Sequence, residues 1–258
     1  MTEINEQLIF NLNRRGNAGL ENFYISESNE IAVSAVKNWH QWPAKKLLLI
    51  GPVGSGKSHL ADFWVKKAQA QTVSIDEICQ CNVLDLIEAK ALMIDNIHTI
   101  VQYCDGVKLA IEEKLFHLLN SMVRTSSYLM ITSSTPIAAW NLSLPDLTSR
   151  LSTIAIGELF QPDDELLVAV LLKQFDDKQI KVSPEFILFV ARRINRSFDS
   201  IRKFVNLIDK LTLKRKREVT IPIASELLNA LEQGSKSVIE DTEDDEFNFL
   251  SKRGGIVG

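Results

Sequence analysis

Short blocks of consecutive apolar residues recur along the chain, separated by stretches whose apolar positions repeat every three or four residues. The blocks are Lys46–Ile50, Thr72–Ile75, Ala91–Asp95, Tyr128–Thr132 and Thr153–Ile156. They are apolar at successive rather than alternate positions, which predicts strands buried on both faces, as in a parallel sheet. Between them lie helical patterns: Ile111, Leu115, Leu118, Leu119 and Met122 share one face of a helix. Strands alternating with helices, with no hairpin dipeptides between them, predict an α/β domain built on a parallel five-stranded sheet flanked by helices. Past Phe160 the pattern changes. Gln161–Asp164 and Ser183-Pro184-Glu185 read as helix starts, the latter with Ser as N-cap and Pro at the first helical position. Further helices are expected over Phe198–Leu213 and Ile223–Leu231. The expected organisation is an N-terminal segment (1–19), an α/β base (20–160), a small all-helical domain (161–233) and an acidic, disordered tail (234–258).

Composition narrows the class. At 258 residues the chain has room for one or two domains, and 45% hydrophobic with 24% charged residues excludes a wholly disordered chain. The formal net charge is −4, and residues 234–258 carry six acids against three bases, so the body is close to neutral. That weakens any case for non-specific DNA binding, which rests on phosphate neutralisation. No apolar run approaches the roughly 18 residues of a membrane helix, and Glu3 and Glu6 stand where a secretory signal would be basic. Cys79 and Cys81 are too close for the usual zinc spacing, so with Cys104 they read as reduced thiols. A cytoplasmic protein without a membrane partner is expected.

The most specific signal is Gly51-Pro52-Val53-Gly54-Ser55-Gly56-Lys57-Ser58, which fits GxxxxGK[ST] between a predicted strand and a predicted helix. A polyphosphate is met by backbone N–H groups, which needs glycines where a Cβ would clash. Lys57 supplies a point charge to the outer phosphates, and the Ser58 hydroxyl is a ligand for Mg²⁺. His59 follows directly. The block at Ala91 ends in Asp95, the expected second Mg²⁺ ligand. The next residue is Asn96, which orients a water but accepts no proton at neutral pH, so hydrolysis by this chain alone is expected to be weak at most. His98 is the nearest titratable alternative, or else a residue of the following loop or helix start. Lys214–Arg217 reads either as a DNA patch or as a solvated run favouring a helix C-terminus.

In order and spacing, these features resemble the DnaA/Hda family of AAA+ proteins over about residues 20 to 232. Asn22-Phe23 and Ser28–Ala32 look like the family segment bordering the adenine, and Glu112–Asn120 looks like its helix after the Walker B acid. Met130–Ser134 is similar to the strand end carrying sensor 1, here Ser133 and Ser134. Leu147–Leu151 is similar to the segment whose arginine acts as an arginine finger, here Arg150, expected near the rim of the nucleotide site. Phe198–Lys203 is similar to the sensor 2 helix, whose arginine reaches the phosphates, here Arg202. The resemblance implies an AAA+ P-loop NTPase fold with a helical lid, and ADP or ATP with Mg²⁺ as ligands.

The initiators of this family carry a C-terminal DNA reader and an insertion that touches single-stranded DNA. The residues after Gly234 and the interval Asp76–Lys90, expected to hold at most one helix, look too short for either. Gln7–Leu12 resembles a sliding-clamp-binding peptide, with Leu8, Phe10 and Leu12 as apolar anchors and the Gln7 amide as a directional group. The implied function is an Hda-like regulator that docks on the DNA-loaded clamp and presents Arg150 to ATP held by the initiator DnaA. DNA is then contacted only through the clamp, and self-association stays open. The alternative is an autonomous, helicase-loader-like AAA+ ATPase acting on a DNA-bound partner. Phe247–Leu250 reads either as a second docking peptide or as an apolar remnant of the tail.

Overall fold

The structure, a computed structural model, describes residues 23–215 and 219–232. The clamp-like peptide at Gln7–Leu12, the second half of the basic run (Lys216 and Arg217) and the acidic tail lie outside the described residues. Five strands form one parallel sheet: β1 (Lys46–Ile50), β2 (Gln71–Ser74), β3 (Ala91–Asp95), β4 (Tyr128–Ser133) and β5 (Ala155–Glu158), in the order β2-β3-β4-β1-β5. Successive residues of β1 enter opposite faces. Leu48 packs with Ile94, Ile131 and Leu115, whereas Leu47 and Leu49 pack with Met93, Met130 and Trp64. This two-sided burial explains the unbroken apolar blocks.

The base helices are α1 (Glu30–Lys37), α2 (Lys57–Ala68), α3 (Ile75–Gln80), α4 (Val83–Ile87), α5 (Asp105–Thr125) and α6 (Pro145–Ser152). Three expectations need adjustment. Ile75 opens a helix rather than closing β2, because Ser74 is the N-cap of a capping box: its hydroxyl accepts from the Glu77 amide while the Glu77 carboxylate accepts from the Ser74 amide. Asp76–Lys90 holds two short helices rather than one, broken at Cys81 and Asn82. β5 starts two residues late, because α6 runs on to Ser152 and the Thr153 amide donates to the Arg150 carbonyl.

The second core is wholly helical: α7 (Asp164–Asp177), α8 (Pro184–Ala191), α9 (Phe198–Arg215) and α10 (Ile221–Glu232) enclose Phe175, Phe186 and Phe204. Asp163 caps α7 by accepting from the Leu166 amide, and Ser183 caps α8 ahead of Pro184. Hydrogen bonds among the described residues join this helical lid to the base. Tyr24 Oη donates to Glu165 Oε1 at 2.8 Å, and the Phe198 amide donates to the Gly54 carbonyl at 3.0 Å. Among the described residues no helix is long and apolar enough to cross a membrane.

Candidate functional site

In a parallel sheet all strands end on the same side, and the signature residues collect there. The Gly51–Ser58 loop leaves β1, and the Gly51 amide donates to the Ser133 carbonyl at 3.2 Å, tying the loop to the end of β4. Gly54 and Gly56 have φ of 80° and 94°, a region other residues enter only under strain. A Cβ at Gly54 would lie 2.4 Å from Ser197 Cβ, and one at Gly56 would lie 2.8 Å from the Phe198 ring. Both glycines are therefore required by the lid as well as by any ligand. Gly56 leads straight into α2, so the first-turn amides and the positive end of the helix face the cleft. Lys57 is 8% exposed, and its Nζ donates to the carbonyls of Gly51 at 2.5 Å and Pro52 at 2.8 Å. Burial lowers its pKa, and the Asp95 charge partly opposes that. Inside the loop the Ser55 hydroxyl is buried without a hydrogen-bond partner. A glycine cradle, a buried ammonium, free helix amides and an orphaned hydroxyl together fit a phosphate group.

Across the loop, both carboxylate oxygens of Asp95 are held. Oδ1 accepts from Thr132 Oγ1 at 2.5 Å, and Oδ2 accepts from Asn96 Nδ2 at 2.9 Å. Asn96 takes a left-handed conformation, φ 52°, and its amide donates to Thr132 Oγ1 at 2.8 Å. His98 Nδ1 accepts from the Ser134 amide at 3.3 Å, so that nitrogen carries no proton. Burial and then the Lys57 charge push the His98 pKa down, against an opposing pull from Asp95. The two residues expected at sensor 1 differ. Ser133 is fully buried, and its hydroxyl donates to the Thr135 carbonyl while accepting from the Thr135 amide and Trp140 Nε1. Ser134 is half-buried, and its amide is the donor to His98.

The loop opens into a cleft of about 560 Å³ between base and lid, lined by Phe23, His59 and Lys57 on one side and by Lys173, Gln174 and Arg202 on the other. Phe23 stacks on His59 with ring centroids 4.6 Å apart, a flat apolar platform beside the phosphate loop. Burial is the main cause of the lowered His59 pKa. Arg202 faces this cleft from α9 but is tethered to Asp199 at 2.6 Å, one helical turn back. The α7 residues Lys173, Gln174 and Asp177 were not singled out from sequence; their signal is a polar i, i+1, i+4 face on an otherwise apolar helix.

Arg150 does not lie at the rim of this cleft. It sits on the last turn of α6, which precedes β5, and β5 begins beside Leu47, at the starting end of β1. The loop at Gly51 leaves the opposite end of β1. Arg150 is exposed and 5.2 Å above the centroid of the Phe116 ring. Parallel connectivity is the reason: residues that enter a strand and residues that leave its neighbour occupy opposite ends of the sheet.

Residues 163–228, spanning α7, α8, α9 and most of α10, match the family described as "Hda, lid domain". A Haemophilus influenzae protein described as uncharacterized is 27% identical over 234 residues, 88% of this chain and 100% of that protein. Domain III of the Thermotoga maritima replication initiation protein DnaA has the same fold, with a TM-score of 0.70 and 20% identity over 81% of this chain and 94% of that one. The replication initiator DnaA solved with AMPPCP and single-stranded DNA gives a TM-score of 0.60 at 20% identity, over 73% of this chain. This chain spans only 63% of that initiator. The chain thus joins a lid that matches the Hda lid family to a five-stranded base with the fold of DnaA domain III.

Proposed function

We propose that this chain is a DnaA-related regulator of replication initiation that holds ADP or ATP in the cleft and acts on ATP bound to the initiator. The observation that carries the reading is the place of Arg150. It is exposed, no carboxylate pairs with it among the described residues, and it stands at the sheet end away from the chain's own phosphate loop. A guanidinium there serves a neighbour's phosphates rather than its own. Supplied in trans, such a group is worth roughly a thousand- to hundred-thousand-fold in rate, because its N–H donors meet charge on the transferring phosphoryl group.

The chain's own site is suited to holding a nucleotide more than to hydrolysing it. Loop amides from Gly54 to Ser58 and the Lys57 ammonium would take the phosphates, once Lys57 releases the Gly51 and Pro52 carbonyls. Ser58 and Asp95 would hold Mg²⁺, which neutralises phosphate charge when bound. The residue beside Asp95 is an amide that donates to it, not a base. Arg202 would exchange Asp199 for phosphate, coupling the lid to occupancy. Docking on the sliding clamp is assigned to Gln7, Leu8, Phe10 and Leu12.

The test is hydrolysis of initiator-bound ATP, measured with and without clamp-loaded DNA. The chain is expected to stimulate it only with loaded clamp, and Arg150→Ala to keep nucleotide and clamp binding while losing stimulation. Full stimulation by Arg150→Ala overturns the proposal. Rapid ATP turnover by the chain with DNA alone favours the autonomous ATPase instead.

A further inference from the structure

Three residues of α5 at i, i+4 and i+8, Lys108, Glu112 and Phe116, contact α6 or the segment that leads into it. Lys108, 8% exposed, donates through Nζ to the Asn141 carbonyl. Glu112 is fully buried, and its carboxylate accepts from the amides of Ser143 and Leu144, each at 2.8 Å. Those amides stand immediately before α6, whose N-cap residue, Leu144, has no side chain able to cap. Glu112 therefore supplies from a neighbouring helix the anion that a helix start favours. One turn further along α5, Phe116 lies under the Arg150 guanidinium at 5.2 Å. The same stripe thus fixes the start of α6 and receives the arginine on its last turn.

We propose that Phe116 is a positioning residue for Arg150, on a helix registered by Lys108 and Glu112. The inference rests on the trans-acting role of Arg150 proposed above. A ring face suits this task. It attracts the cation and restricts its rotamers, yet it has no lone pair, so the N–H donors stay available to phosphate oxygens. A carboxylate in the same place would have to be displaced before each encounter. The half-buried Phe116 packs against the sheet core on its other side, so its ring is held in place.

The experiment compares Arg150→Ala, Phe116→Leu and Phe116→Trp in the full chain, with clamp-loaded DNA and ATP-bound initiator. Phe116→Leu keeps an apolar side chain but loses the π face. It is expected to lower the maximal stimulated rate by roughly three- to tenfold, with little change in the concentration giving half the effect. Phe116→Trp restores the rate. A purely structural role would alter thermal stability or half-saturation without that rescue. As an independent readout, the Arg150 side-chain protons should show an upfield ring-current shift in NMR spectra of the parent, lost in Phe116→Leu. Parent-like stimulation by Phe116→Leu, or no ring-current shift in the parent, overturns the inference while leaving the role of Arg150 intact if Arg150→Ala is inactive. Stimulation by Arg150→Ala overturns both.

Discussion

Gly54→Ala tests whether the lid is seated on the phosphate loop, because one added carbon meets both the backbone and the lid. Gly54 has φ 80°, where a Cβ costs about 1–2 kcal/mol. The new Cβ would also stand 2.4 Å from Ser197 Cβ and 3.2 Å from Ser197 Cα, so no rotamer change relieves it. The lid must then move and loosen the bond from the Phe198 amide to the Gly54 carbonyl, worth about 1 kcal/mol. Together these give about 2–3 kcal/mol. At about 2–4 °C per kcal/mol for a chain near this size, thermal unfolding without nucleotide should begin some 4–12 °C lower, and ADP affinity should fall. The two contributions separate by adding Ser197→Gly, which removes the opposing Cβ; Ser197 caps α9, its hydroxyl accepting from the Ser200 amide at 3.1 Å, and a change of N-cap to Gly costs only a few tenths of a kcal/mol. The double variant should recover about 1 kcal/mol through coupling, leaving the backbone cost behind. An unchanged melting temperature for Gly54→Ala, or additive effects in the double variant, would refute the seating of the lid on Gly54.

Two further outcomes follow from contacts near the same sheet end. Asn96→Asp exchanges a donor 2.9 Å from Asp95 for a second carboxylate; it should destabilise the nucleotide-free protein by about 1–2 kcal/mol in thermal melts and raise intrinsic ATP hydrolysis. A variant as stable as the parent and equally slow would show that Asn96 neither braces Asp95 nor limits turnover. Ser74→Ala removes the hydroxyl half of the α3 capping box and should cost about 1 kcal/mol, read as a lower melting temperature with ADP affinity unchanged.

Much of this arrangement was legible because it depends on local pattern. Unbroken apolar blocks gave five strands, and the glycine spacing with Lys57 and Ser58 marked the phosphate loop. Ser183-Pro184 marked a lid helix to the residue. What escaped depends on pairing across the sheet. Nothing in Met130–Ser134 says that Thr132 rather than Ser133 faces Asp95; that follows from β3 lying beside β4 in one register. Glu112 reads as one charge in a charged run, Glu112-Glu113-Lys114, although it directly follows Ile111 on the edge of the apolar stripe. Its burial is set by the amides of residues 143 and 144, distant in sequence.

Arg150 shows where such reading stops and what a topological rule adds. Its segment was identifiable, and its reach toward a neighbour was inferred from a place near the cleft rim. In an all-parallel sheet that place is excluded, since every loop that leaves a strand lies at one end and every segment that enters a strand lies at the other. Arg150 enters β5, and the phosphate loop leaves β1, with the four residues Leu47–Ile50 of β1 paired to β5 between them. At about 3.3 Å per residue that pairing alone separates the two ends by roughly 10 Å, before loop and helix are added. The proposed action on another molecule rests on that separation. The Glu112 carboxylate, bonded to the amides of Ser143 and Leu144, anchors the start of the helix that carries Arg150 and so helps keep the arginine at that end of the sheet.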